Sequence, residues 1–277
     1  MESLVNYFST IPSLHRSLIL VGGITLFWLL EGVIPLALFQ YKKWRHAGIN
    51  FFFTFTTILI NFVLAFLLVE TSDWTQRQGF GLLAWLPEMS LLWTALIGVL
   101  GLDLIGAYAV HWAEHRVRWM WKFHLIHHTD THVDTTSANR HHPGESVFRF
   151  FFTLLGVACI GAPMWIVFLY QSLSVVLSQF NHANIRLPEK IDQAISWLIV
   201  SPNMHKIHHH YQLPYTDSNY GNIFSIWDRM FGTFKTLPPH QIVYGVDTHM
   251  DPKENDQLNA LIRIPFEGYR PPTTPGI

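Results

Sequence analysis

Charge is scarce in this chain. Charged residues make up 13% of its 277 positions, against about 25% in soluble domains, which argues against a soluble globular enzyme. Cysteine is almost absent: Cys159 is the only one, so a disulfide framework and a Cys-based zinc module are both excluded. There is no positive excess, because 18 Lys and Arg face 19 Asp and Glu for a net charge of −1. A nucleic-acid binder needs such an excess, so nucleic acid is not an expected partner. No internal repeat or low-complexity tract is present. The abundant classes are apolar residues at 49%, enough to exclude disorder, and histidine, with 17 copies.

The apolar residues fall in long runs. Residues 49–69 hold no charge over a stretch long enough to cross about 30 Å of hydrocarbon. Residues 18–40 form a second span interrupted only by Glu31, and 89–110 a third interrupted only by Asp103. A fourth apolar stretch, about 148–178, carries Gly161-Ala162-Pro163 near its middle and is too long for one span and short for two. It is expected to form a re-entrant or shallow helical hairpin broken at Pro163. Lys42, Lys43 and Arg45 follow the first span, whereas the loop over residues 70–88 is poor in Lys and Arg. The positive-inside bias therefore places His111, after the third span, on the cytoplasmic side. Trp44, Trp74 and Trp85 stand where interfacial anchors are expected. The first apolar segment is too long, and its flank too weakly basic, for a signal peptide. The polar tail, 251–277, is expected to be poorly ordered.

The histidines cluster. HWAEH holds His111 and His115; HLIHH holds His124, His127 and His128; HKIHH holds His205, His208 and His209. Residues three and four apart share one helix face, so each run aims its imidazoles at one point. A lone histidine is ordinarily a packed or exposed ring, but three such runs predict metal ligation. Eight imidazoles exceed what one ion uses, so two ions are expected. Ligation almost purely by imidazole suits iron, copper, zinc or nickel and argues against magnesium or calcium.

These stretches, with DLIGAYAVHWAEH, WKFHLIHHTD, TTSANRHHPGE, NHANI, SPNMHKIHHH and DSNYGNIFSIWDRMFGTF, resemble the fatty acid hydroxylase and sterol desaturase superfamily of membrane di-iron enzymes. The match runs in order from Asp103 to Phe234. It implies an all-α polytopic protein, a single membrane-embedded domain over 1–277, whose cytoplasmic helical cap carries the histidine region at 111–142 and 182–210. It also implies two iron ions, which zinc can replace in a purified sample, and dioxygen-dependent hydroxylation or desaturation of a lipid. Carried over by motif, the ligands are His111, His115, His124, His127, His128, His205, His208 and His209, joined by His182 and His142. His132, His141 and His210 are extra to the pattern, and Trp112 stands where the family often has Arg.

Asp103 lies inside a span about two turns before His111, where a hydrogen bond to a ligand ring would fix its tautomer. Glu145 stands ready to accept from a ligand histidine or to pair with Arg140, and Asp217 is a further candidate to support a ligand. Glu31 is tied to nothing in the histidine runs. No flavin, haem or dinucleotide motif is present, so electrons are expected from a separate ferredoxin or cytochrome b5-like donor. Arg116, Arg118 and Lys122 are either its docking site or membrane anchors. Two other readings are a membrane zinc hydrolase using Glu114 as general base and a metal transporter. The second is disfavoured because the histidines lie on one side of the spans. The absence of an appended donor domain points to a bacterial inner membrane.

Overall fold

The structure, a computed structural model, describes residues 1–273; the last four residues of the tail lie outside them. It is helical throughout, and among the described residues the only β-type pairings are isolated bridges such as Pro35 with Ile185. Among the described residues, four helices are long and apolar enough to cross a membrane, and the chain is a multi-pass membrane protein.

A short amphipathic helix, α1 (Glu2–Ser9), precedes α2 (Ser13–Val33). This first span ends earlier than the apolar stretch 18–40. Pro35 disfavours helical backbone at Ile34, and Leu36 instead bonds to the Asn184 carbonyl. The second span, α3 (Lys43–Gln78), is longer than its apolar core and stops at Gly79, whose φ of 59° closes the last turn. Trp44 and Trp74 are exposed on it and roughly 45 Å apart along the axis, the full thickness of a bilayer with its headgroups. Leu18, Leu29, Phe55 and Phe62 project outward from α2 and α3, so apolar side chains face the lipid.

The third span, α4 (Leu91–Arg116), contains a π-helical segment at Leu104–Ala109. After a break at Val117 comes α5 (Arg118–His128). The long fourth stretch forms two helices, α6 (Pro143–Ile160) and α7 (Met164–His182). The break falls at Gly161-Ala162-Pro163, as the sequence indicates; Gly161 adopts φ 67° and no Cβ fits there, because the Phe80 carbonyl oxygen lies 2.4 Å from where it would stand. With 18 residues, α6 spans about 27 Å and is long enough to cross by itself. A short helix, α8 (Pro202–His208), carries the last histidine run.

The tail departs from expectation. Residues Leu258–Arg263 are helical, and Leu261 and Ile264 are buried against Ile49, Phe53, Leu125 and Ile126. Its few apolar residues fall on one face, and burial of that face outweighs the polar average of the segment.

Candidate functional site

The helices bring the three histidine runs to one buried place beside the ends of α4 and α7. His111, His115, His124, His128 and His208 each offer one ring nitrogen, and these lie within 4.8 Å of one another. His127, His182, His205 and His209 form a second set by the same measure. The i, i+3, i+4 spacing of α5 splits its ligands: His124 and His128 face one set, and His127 the other. Rings of the two sets lie against each other, with His128 and His209 centroids 4.9 Å apart.

Hydrogen bonds fix five of the rings. His111 Nδ1 donates to the Tyr220 carbonyl at 2.8 Å, His208 Nδ1 to the Ser218 carbonyl at 2.7 Å and His182 Nδ1 to the Ser178 carbonyl at 2.8 Å. His124 Nδ1 donates to Glu145 at 2.8 Å and His115 Nδ1 to Asp217 at 3.1 Å. Each acceptor here is an oxygen that cannot donate, so each Nε2 must carry a lone pair. Yet His111 Nε2 and His124 Nε2 stand 3.1 Å apart. Two facing lone pairs repel unless a cation lies between them. Nitrogens about 2.1 Å from one ion, at right angles, sit about 3 Å apart. His115 Nε2 and His208 Nε2 are buried with no hydrogen-bond partner. The residues therefore fit metal ions.

The environment keeps these rings neutral, as ligation requires. Burial, followed by the repulsion of neighbouring imidazoles, holds His124, His127, His128, His205 and His208 well below the usual histidine range. His209 is lowered to about 3, chiefly by burial, with Lys206 adding to it against the pull of Asp130.

Two expectations are corrected, and for Glu145 the first of its two alternatives holds, since it accepts from His124. His142 is in neither set. It caps α6, its Nδ1 accepting from the Gly144 amide at 2.9 Å, while the ring packs on Phe123. Pro143 starts the helix directly after it and turns the ring away from the site. Asp103 bonds to no histidine. Its carboxylate takes the amides of Ile223 and Phe224 and the Trp227 indole, at 2.9–3.2 Å. Asp103 stands eight residues before His111, about 12 Å along an α-helical axis, too far for its carboxylate to reach that ring. It thus fixes the loop whose Tyr220 carbonyl holds His111. Glu145 pairs with Arg149 rather than Arg140, which instead binds the Ile126 and Asn255 carbonyls.

Several functional neighbours were not anticipated. Arg149 bridges the buried carboxylates of Glu145, at 2.9 Å, and Glu114. The i, i+4 spacing of Glu145 and Arg149 was the available signal, masked by the surrounding phenylalanines. His141 lies 2.7 Å from Glu145 and stacks on His127. His46 joins Asp130, at 2.9 Å, and Asp134, at 3.4 Å. These partners are 84 and 88 residues away, out of reach of any local pattern. Glu31 accepts the Thr135 and Asn184 amides, so it does tie α2 to the histidine region.

Fold and site together define an all-helical membrane protein with buried histidine clusters that could hold metal. The family model for fatty acid hydroxylase matches residues 95–233, half of the chain, and the chain belongs to that family. Among curated proteins it is similar to an alkylglycerol monooxygenase of Xenopus tropicalis, 32% identical over 57% of this chain and 33% of that protein. It is also similar to the ornithine lipid hydroxylase OlsE of Rhizobium tropici, at 25% over 50% of this chain and 42% of that protein. A third relative is the cholesterol 25-hydroxylase of Rattus norvegicus, at 24% over 55% and 50% respectively. The chain spans between a third and a half of the length of these relatives. No solved structure matches it.

Proposed function

We propose that the chain, taken as one membrane-embedded domain, is a di-iron oxygenase that hydroxylates or desaturates a lipid with electrons from a separate donor. The observation that carries the reading is the pair of adjoining sets, five and four neutral imidazoles. The ligands are His111, His115, His124, His128 and His208 in one set and His127, His182, His205 and His209 in the other. Iron, when bound there, supplies dioxygen activation.

The protein's own residues bind and orient. Backbone carbonyls of Tyr220, Ser218 and Ser178 and the carboxylates of Glu145 and Asp217 hold Nδ1 protons so that Nε2 atoms point inward. Arg149 ties Glu114 and Glu145 together and holds both in place. The hydrolase alternative is disfavoured, because Glu114, its only general base, is held by that arginine rather than aimed at a metal-bound water.

A lipid substrate is supported by the relatives, whose names specify an alkylglycerol, an ornithine lipid and cholesterol. They share an apolar body rather than a headgroup, so the class rather than the individual lipid is what we propose. The site lies at the Lys43 end of α3, where His46 meets Asp130; the positive-inside bias makes that the cytoplasmic side. Arg116 and Arg118 are exposed beside His115, placed to meet an acidic electron donor.

Metal content and lipid oxidation test this reading together. Protein purified without added metal should carry near two iron ions, lost in a His127→Ala/His208→Ala variant, and should oxidise a lipid when given dioxygen and a reducing donor. No metal in either protein refutes it.

A further inference from the structure

Resting on the dimetal reading above, we infer that the two ions are held unequally: the five-imidazole set binds its ion tightly and the four-imidazole set holds an exchangeable one.

Three independent observations lead there. The first is ligand number, five against four. The second is the anchoring of the rings. In the five-membered set, His111, His115, His124 and His208 each donate Nδ1–H to a fixed acceptor, and only His128 Nδ1 is without one. In the four-membered set, only His182 is anchored, while the buried Nδ1 atoms of His127, His205 and His209 have no protein partner. An anchored imidazole has its tautomer and ring direction set before the metal arrives; an unanchored one must be ordered by the ion itself. Loss of one such partner ordinarily costs about 10- to 100-fold in metal affinity.

The third observation is charge. Two carboxylates, Glu145 and Asp217, bond directly to ligands of the five-membered set and raise their basicity. No carboxylate bonds to a ring of the other set among the described residues. Asp130, which acts on His209 electrostatically, is taken up by His46 and Ser137. The buried Lys206 ammonium, on the same short helix as His205, donates to the Ala183 carbonyl next to His182 and sets a positive charge near the four-membered set. Glu31, Asp192 and Asp134 act on it in the opposite sense through space, and none of them bonds to a ring of the set. Arg149 balances Glu145 on the other side, so the contrast rests on the carboxylates bonded directly to ligand rings, which one set has and the other lacks.

Zinc, which is redox-silent, is the probe. The full chain in detergent or nanodiscs is loaded to saturation and dialysed against rising EDTA, and zinc per chain is measured. The expected result is a staircase from two ions to one to none, the steps separated by at least about tenfold in chelator. His182→Ala and, separately, His127→Ala should remove the first-lost ion and leave the later step in place. Asp217→Asn keeps the side-chain shape but not its charge, and should move the later step toward the first. A two-ion protein that loses both in a single step overturns the asymmetry alone. So does a later step that vanishes in the His182 and His127 variants, or one unmoved by Asp217→Asn. A wild-type chain that never takes up two ions overturns the dimetal reading itself.

Discussion

Replacing Arg149 with methionine isolates the electrostatic support beneath the centre. Arg149 reaches from α6 to two carboxylates that are wholly buried, Glu114 and Glu145, while its own side chain is 26% exposed. Methionine fills much of the same volume and removes the charge. Two carboxylates are then left facing each other without a cation, and Glu145 must still hold His124 and His141. Removing one partner of a buried ion pair costs about 3–5 kcal/mol, and the partial exposure of Arg149 sets the expectation near 3. At roughly 2–4 °C per kcal/mol for a chain of this size, the unfolding midpoint of the metal-free protein in detergent should drop about 6–12 °C. Adding Glu114→Gln to the variant replaces one of the two stranded carboxyl groups with a neutral side chain of the same shape and should recover more than half of the loss. A variant within about 1 kcal/mol of wild type, or a double variant no better than the single one, refutes the reasoning.

Other outcomes follow from the same geometry. The buried imidazoles protonate less readily folded than unfolded, so falling pH favours the unfolded state. With His209 lowered to about 3, that ring alone costs the metal-free protein about 1.4 kcal/mol by pH 5.5. The other rings of the two sets act in the same direction and outnumber His46, whose ion pairs with Asp130 and Asp134 favour its charged form and so oppose them, and a midpoint at pH 5.5 equal to or above that at pH 7.5 contradicts this. His142→Ala should lower stability by about 1 kcal/mol through the lost helix cap while leaving metal content unchanged; loss of one ion would restore His142 as a ligand. Leu261→Ala should cost about 2–5 kcal/mol, because its side chain is fully buried. A change under about 0.5 kcal/mol in unfolding measurements would show that the tail does not pack on the α3–α5 core.

Much of this was legible before any coordinates. Hydrophobic runs located the spans, because crossing hydrocarbon requires length and low charge whatever the neighbours are. Their ends were less legible: Pro35 shortens α2, and α3 continues through Lys43 and Gln78, since helix ends answer to local caps rather than to hydropathy. Nine of the ten histidines singled out as ligands fall within the two sets: helical spacing aims the rings of each run to one side, and the family resemblance alone pointed to His182. His142 does not, since a residue just before a helix-starting proline has no helical periodicity to place it. Asp103 binds Ile223, Phe224 and Trp227 instead of a ligand ring, and partners 120 or more residues away leave no local pattern to find them by.

The sequence by itself determined that this is a helical membrane protein of low charge with three histidine runs, each presenting its rings on one face. Those properties are set by composition and by contacts within a turn or two of helix. Only the tertiary structure decided how the rings divide into five and four, and which carbonyl or carboxylate turns each one. It alone decided that Arg149 links Glu114 to Glu145 and that His46 meets Asp130. Burial enforces those pairings: a polar group removed from water must find a partner, and that partner can lie anywhere along the chain.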